Sequence, residues 1–418
     1  MNTYSSYKDS GVDWIGNIPS DWEVVRNKYL FDVTKNVVGE ESDKYQLLSL
    51  TKRGVVLRDI ESGKGKFPES FDTYQTVDKG DLIFCLYDID ETPRTIGISN
   101  YSGMITGSYK VVKCNTLTDP KFIYYNYLSI DDVKGLRPYY TGLRKVVRTE
   151  TFLNLNVRVP SLQEQQQISD YLDYKTLKID KLIEKTEQKI ELLKEQRTSL
   201  INTTVTKGLD PNVEMKDSGV EWIGDVPVGW DIKPMYTRYS QNKTKNDNST
   251  STILSLSYGR LIKRNMETNF GLLPDNFDSY QLLETGFIIL RMTDLQNDHK
   301  SLRVGICEFQ GIITSAYIGL KPLTNVCSKY FFYYLYMCDL KKVFYGLGGG
   351  LRQSVSYNDF KRFPLSIPPL QEQQQIVDYI NKKTSKIDKL VDIESKRIIL
   401  LKEYRQSLIS DVVTGKVD

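Results

Sequence analysis

Histidine is almost absent from this sequence: one residue, His299, in 418. Zinc sites built on imidazoles, and any Ser-His-Asp or Cys-His machinery, would depend on that single side chain, so an intrinsic hydrolase is not expected. Cysteine is scarce too, and its five copies (Cys85, Cys114, Cys307, Cys327, Cys338) never come closer than a C-x10-C spacing. That pattern spells neither a disulfide framework nor a metal knuckle, and it suits a reducing, cytoplasmic setting. No apolar run approaches the roughly 18 residues of a membrane span, and the first ten residues, MNTYSSYKDS, are polar rather than signal-like. An excess of one charge is also missing: 56 Lys+Arg against 53 Asp+Glu leaves +3, so only local patches could attract a polyanion. No G-x-x-x-x-G-K-[ST] loop occurs, which argues against an NTPase. The Asn/Asp-Pro-Pro-aromatic signature of an adenine methyltransferase has no counterpart, because the one Pro-Pro pair, Pro368-Pro369, lies between Ile367 and Leu370. No catalytic residue and no metal ligand is assigned.

What is present is a repeat. KDSGVDWIGNIPSDW at residues 8–22 returns as KDSGVEWIGDVPVGW at 216–230, and LQEQQQISDYL at Leu162 returns as LQEQQQIVDYI at Leu370, both 208 residues on. KIDKLIEKTEQKIELLKEQRTSLI at Lys178 pairs with KIDKLVDIESKRIILLKEYRQSLI at Lys386, and VTKGLD at Val205 with VTGKVD at Val413. The length alone suggests two to four domains; the repeat resolves this into two copies of one unit. Between the constant stretches the copies diverge, anchored by LLSL and ILSL, FDTYQ and FDSYQ, GMITGSY and GIITSAY. The offset drops to 206 at the first two anchors and recovers at the third, because Ile83 to Gly97 spans 14 positions and Ile289 to Gly305 spans 16. Length variation falls on one connection, either a neutral insertion or a functional surface loop.

The constant segments read as long helices with a coiled-coil seam. In the first, Ile168, Leu172, Lys175, Ile179, Leu182, Thr186, Lys189, Leu193 and Leu200 recur at alternating steps of three and four; in the second, Ile376, Ile380, Lys383, Ile387, Leu390, Arg397, Leu401 and Leu408 do. Ser161 and Glu164 form an S-x-x-E capping signature, Pro368-Pro369 opens the second helix, and Gly208 and Gly415 stand where the helices should end. Such a segment is roughly 60 Å long at 1.5 Å per residue, too long for one small domain. The consecutive Ile398, Ile399, Leu400 and Leu401 exceed a two-stranded seam and point to a protein partner, the alternative being that they pack on the chain's own domains.

The variable segments read as mixed α/β. Strands are expected at residues 45–50, 81–86, 95–99 and 109–113, and in the second copy at 253–257, 287–291, 303–307 and 316–321. KFIYYNYL at Lys121 and KYFFYYLY at Lys329 read as core helices, since their aromatics run continuously instead of alternating with cations. The domain boundaries are thus 1–160 for the first variable domain, 161–208 for the first helix, 209–367 for the second domain and 368–418 for the second helix.

Basic and polar residues gather in loops of the variable domains. The candidate nucleic-acid contacts are Lys52, Arg53, Arg58, Lys64, Lys66, Arg94, Arg144 and Lys145 in the first, and Arg260, Lys263, Arg264, Arg291, Gln296, Asn297, Arg303, Arg352 and Gln353 in the second. Arg and Lys suit guanine edges and phosphates, and Gln and Asn suit adenine edges. Any one such loop alone is better explained as solvated surface with glycine turns; the recurrence of Gly-Leu-Arg at Gly142 and Gly350, in otherwise divergent stretches, favours binding. Arg94, Arg144, Arg291 and Arg352 lead this set, and His299 reads as a surface or contact residue rather than a base.

The KDSGV-WIG-P-W opening, the PSLQEQQQI and PPLQEQQQI helix starts, the VTKGLD and VTGKVD ends and the RMTDLQNDHKSLRVG segment resemble the specificity subunit of type I restriction-modification enzymes over essentially the whole chain. The resemblance implies two target recognition domains, each reading one half of an asymmetric split DNA site. It also implies an antiparallel coiled coil that sets the gap and contributes partner contacts through Ile168, Leu172, Ile179, Leu182, Leu193, Leu200, Ile376, Ile380, Ile387, Leu390, Ile398, Leu401 and Leu408. Implied partners are two adenine-methylating subunits and, for restriction, two motor-nuclease subunits. S-adenosylmethionine, ATP and Mg would then sit on those partners, with no cofactor on this chain. Two other classes compete. A self-sufficient methyltransferase or nuclease lacks its motifs, and a pure coiled-coil adaptor would keep its globular parts constant rather than its helices.

Overall fold

The structure, a computed structural model, describes residues 3–59, 68–247, 250–264, 276–295, 302–347 and 354–417. Two compact units emerge: residues 1–187 with 396–418, and residues 188–395. Each is described in turn.

The first unit is organised by a four-stranded antiparallel sheet in the order Phe31–Thr34, Lys110–Cys114, Leu82–Phe84, Ile96–Ile98. Every residue of Leu82–Phe84 is buried, because both faces of the sheet are covered. Successive side chains of a strand point to opposite faces. Leu82, Phe84 and Val112 therefore join the core under the aromatic helix Pro120–Asp132, while Ile83 and Val111 pack on Leu48 and Val55 of the hairpin Leu48–Thr51/Gly54–Leu57. Burying each such side chain contributes about 1.5–3 kcal/mol. The second unit repeats this scheme. Its sheet runs Tyr239–Gln241, Ile318–Pro322, Ile288–Leu290, Val304–Ile306, with Ser328–Leu340 on one face and the hairpin Leu254–Ser257/Arg260–Lys263 on the other. The strand readings from sequence all overlap observed strands, and both aromatic runs are helices.

The glycine inside each edge strand has a packing cause. A Cβ on Gly97 would lie 2.7 Å from Leu50 Cδ1 and Val55 Cγ2, and one on Gly305 would lie 2.6 Å from Leu256 Cδ1. The hairpin approaches the sheet too closely for any side chain there.

The constant motifs turn out to be fasteners. Trp22, fully buried, donates its indole N–H to Glu164 Oε1 at 2.9 Å, and Trp230 donates to Glu372 Oε2 at 3.0 Å. Ser161 Oγ does accept the Glu164 amide (3.3 Å), but the Glu164 carboxylate takes Trp22 and the Tyr4 hydroxyl. The third residue of each QEQQQ run, Gln165 or Gln373, is buried; it accepts the amide of Asp119 or Cys327 at the aromatic helix start and donates to the Pro160 or Pro368 carbonyl. In FDTYQ and FDSYQ, the buried Gln75 and Gln281 amides each donate to two backbone carbonyls, of Thr106 and Tyr109 or of Thr314 and Tyr317.

The long helices run Leu162–Lys207 and Leu370–Val413 and end on left-handed glycines, Gly208 (φ +77°) and Gly415 (φ +69°). In the second unit Lys189 pairs with Glu394 at 2.6 Å and Arg197 with Asp388 at 2.9 Å, so one number rises as the other falls and the helices are antiparallel. In the first unit Arg405 forks onto both oxygens of Asp180, at 2.9 and 3.2 Å, the same pair displaced by 208. The seam differs from the sequence reading by one residue at several places. Thr176, Ile190 and Thr384 are buried where Lys175, Lys189 and Lys383 were expected, Ile183 and Val391 face inward in place of Leu182 and Leu390, and Arg397 is exposed where Ile398 is half-buried. Leu182 and Leu390 stand 36% and 43% exposed. At Thr176 the physical reason is its hydroxyl. Thr176, like the expected seam residue Thr186, returns its hydroxyl to the carbonyl four residues back (Leu172 and Leu182, 2.7 Å each), which lets a polar residue occupy a core position that an apolar count passes over at Thr176. Ile168, Leu172, Ile179, Ile376, Ile380, Ile387 and Leu408 are buried as expected, and Leu193, Leu200, Ile398 and Leu401 are half-buried.

Candidate nucleic-acid interface

In the first unit three basic segments meet solvent. Lys52 and Arg53 are exposed at the turn of the hairpin, and half-buried Arg58 follows it. The connection between strands Leu82–Phe84 and Ile96–Ile98 carries Arg94, half-buried, with its Nη1 shut from solvent and lacking a hydrogen-bond partner. The turn bearing Gly142, Leu143, Arg144 and Lys145 is bound to that connection: the Asp88 amide donates to the Arg144 carbonyl at 2.9 Å and the Val147 amide to the Leu86 carbonyl at 2.8 Å. Lys145 is not the free contact the sequence suggested. Its ammonium lies 3.1 Å from Asp90 and 3.4 Å from Glu91, and Asp90 also receives Arg137 (2.7 Å) and the Tyr140 hydroxyl (3.2 Å). Hydrogen bonds from Arg137 and Lys145 hold the Asp90 carboxyl below its ordinary range.

The second unit joins its equivalent segments in the same way, the Val355 amide donating to the Met292 carbonyl at 3.0 Å. Arg260 and Lys263 are exposed on the hairpin, Arg264 and Arg291 half-buried. The Tyr258-Gly259 turn rests on the long loop, a Gly259 Cβ reaching 3.2 Å from Leu302 Cδ1. Arg303 requires a correction: it is wholly buried, with no surface for a nucleic acid. Its guanidinium donates to the carbonyls of Arg291 (3.0 Å), Thr293 (2.8 Å) and Asp294 (3.1 Å) and to the Tyr345 hydroxyl (3.2 Å). A cation that satisfies several carbonyls at once can be buried, and a charge count along the chain cannot separate that use from a solvent-facing one. Lys64, Lys66, Gln296, Asn297, His299, Arg352 and Gln353 lie outside the described residues.

Sequence reasoning missed the acid at the root of each loop. Asp131 Oδ2 accepts the Thr95 amide at 2.9 Å and Asp339 Oδ2 the Arg303 amide at 2.6 Å. Their common spacing of 208 in helices that otherwise differ was the available signal. Four of the five thiols are poor nucleophiles: burial raises Cys85, Cys307 and Cys338, and pushes Cys114 up to about 12. Among the described residues no group of three or more His, Cys, Asp or Glu could hold a metal ion, and no helix is long and apolar enough to cross a membrane.

A family model described as the type I restriction modification DNA specificity domain matches residues 19–192 and 303–403. The chain belongs to this family of specificity subunits. It is 22% identical over 431 residues to the putative type I restriction enzyme MjaX specificity subunit of Methanocaldococcus jannaschii, covering 96% of this chain and 95% of the relative. It is 23% identical to the MjaVIII specificity subunit of the same organism, covering 96% and 94%. The fold matches a chain of a type I R-M system solved to explain complex assembly and conformational transition (TM-score 0.70, 12% identity, covering 95% and 98%). It also matches the HsdS subunit of Thermoanaerobacter tengcongensis (TM-score 0.54, 13% identity, covering 96% and 98%). A specificity subunit is the non-catalytic, DNA-recognising component of a restriction-modification system, and the basic loops described above belong to such a component.

Proposed function

We propose that this specificity subunit reads an asymmetric, bipartite DNA target, one half with each unit. The observation that carries this is the pairing of an identical scaffold with unlike loops. Strand order, fastening motifs and the Arg–Asp helix pair recur at offsets of 206 or 208, whereas the loops that present Arg94 and Arg144 in one unit and Arg291 in the other share little sequence. Duplicate frames with different reading heads suit two different half-sites. The paired long helices set the gap, and their outward apolar residues, Leu182, Leu390, Ile399 and Leu400 among them, dock two adenine-methylating subunits. Restriction then adds two motor-nuclease subunits, with S-adenosylmethionine, ATP and Mg held by the partners and none by this chain. Mapping methylated adenines in the host genome with and without the gene tests the reading. A split motif that vanishes with the gene is expected; a continuous motif, or no change, overturns it.

A further inference from the structure

Among the described residues Leu143 is the most exposed large apolar side chain, at 103% of its reference surface, and it stands at the tip of a hydrogen-bonded turn. Gly142 (φ +74°) and Lys145 (φ +45°) turn the chain tightly, the Lys145 amide donates to the Gly142 carbonyl at 3.0 Å, and Thr141 and Val146 close the base by bridging. Asp90 clamps the turn from below through Arg137, Tyr140 and Lys145. Nothing in this arrangement buries the leucine, yet Gly-Leu-Arg recurs 208 residues on, where the flanking sequence has diverged. Exposed Arg144 follows it, and Arg148, also exposed, comes four residues later. An apolar residue on a stiff support with cations beside it has the makings of a wedge: it enters a groove, parts two base pairs and kinks the duplex while the cations hold phosphates.

We infer that Leu143 inserts between neighbouring base pairs of the half-site read by the first unit and bends the DNA there. The inference rests on the half-site reading above. It adds sequence discrimination without a base contact, because steps differ in how readily they unstack.

The test uses the full-length chain together with the methylating subunits proposed above, and a duplex of the mapped target labelled with donor and acceptor dyes at its two ends. The wild type is expected to shorten the dye separation on binding. Leu143→Ala should relax that bend, weaken binding about tenfold and keep the same preferred sequence; Leu143→Met should restore the bend. Arg144→Ala should weaken binding with the bend retained. Being fully exposed, Leu143 leaves the melting temperature unchanged when truncated. A wild type that prefers its target but leaves the duplex straight, or an alanine variant that bends it as fully, overturns the wedge alone. Loss of the methylating subunits from the alanine variant would make Leu143 a protein contact and also overturns it. A wild type with no preference for the mapped duplex sinks the half-site reading together with the wedge.

Discussion

The loop after the third sheet position is held differently in the two units. In the first, Lys134, itself in the left-handed region (φ +53°), reaches over to the Thr92 carbonyl and Asp131 Oδ1, both at 2.8 Å, and clasps the loop from its flank. In the second, the corresponding Lys342 lies over the Tyr345 ring, and Arg303, in the place of Thr95, grips the loop from within. The second connection is also two residues longer. A guanidinium can hold several carbonyls, here those of Arg291, Thr293 and Asp294 at the start of the longer loop, where an ammonium on a flexible stem holds one or two. The two loops can therefore change independently while the sheets beneath them stay alike.

The strongest way to break this comparison is exchange of residues 15–160 for the matching stretch of another family member. One half of the methylated motif is expected to change completely and the other not at all; altered preference at both halves would show that the units do not read separately. Next is Arg303→Met, which leaves the carbonyls of Arg291, Thr293 and Asp294 without this donor. It should lower discrimination at the second half-site at least tenfold and cost about 2–4 kcal/mol, whereas Thr95→Ala should cost under about 1 kcal/mol. Equal effects in urea melts and binding competition would refute the internal-tether account. Gly97→Ala and Gly305→Ala probe what the units share, and each should cost about 1–3 kcal/mol by overpacking, with neither target half altered. A large difference between them in thermal melts would mean the two scaffolds are not equivalent.

The smallest effect concerns Asp339. Burial raises its carboxyl above the ordinary value of 3.8, and Oδ1 has no hydrogen-bond partner, unlike Asp131, whose Oδ1 meets Lys134. A folded-state acid with a raised value binds more protons than the unfolded chain between the two values, so stability falls as pH climbs from the unfolded value through the raised one. Asp339→Asn should flatten that slope in acid and slightly stabilise the second unit at neutral pH. An unchanged profile of melting temperature against pH would show that the carboxylate is neutralised by other means.

Much of this was legible in the sequence, and some of it was not. The repeat, the strands around Leu82–Phe84 and Ile288–Leu290, the aromatic helices and the long constant helices follow from period and spacing, because alternation and 3.6-fold recurrence are local properties of a chain. The family, too, could be read from motifs whose residues prove to be fasteners: Trp22 on Glu164, Gln165 on the start of the aromatic helix. The charge pattern could nominate Lys145 and Arg303 as contacts, but it could not show that one is paired to Asp90 and the other buried among carbonyls. Nor could apolar counting choose Ile183 over Leu182 for the seam. Those outcomes depend on which distant residues close over a side chain, and on whether a charge finds partners when water is removed. That is settled only when residues far apart in sequence, such as Asp90 and Lys145 or Arg303 and Tyr345, are brought within hydrogen-bond reach.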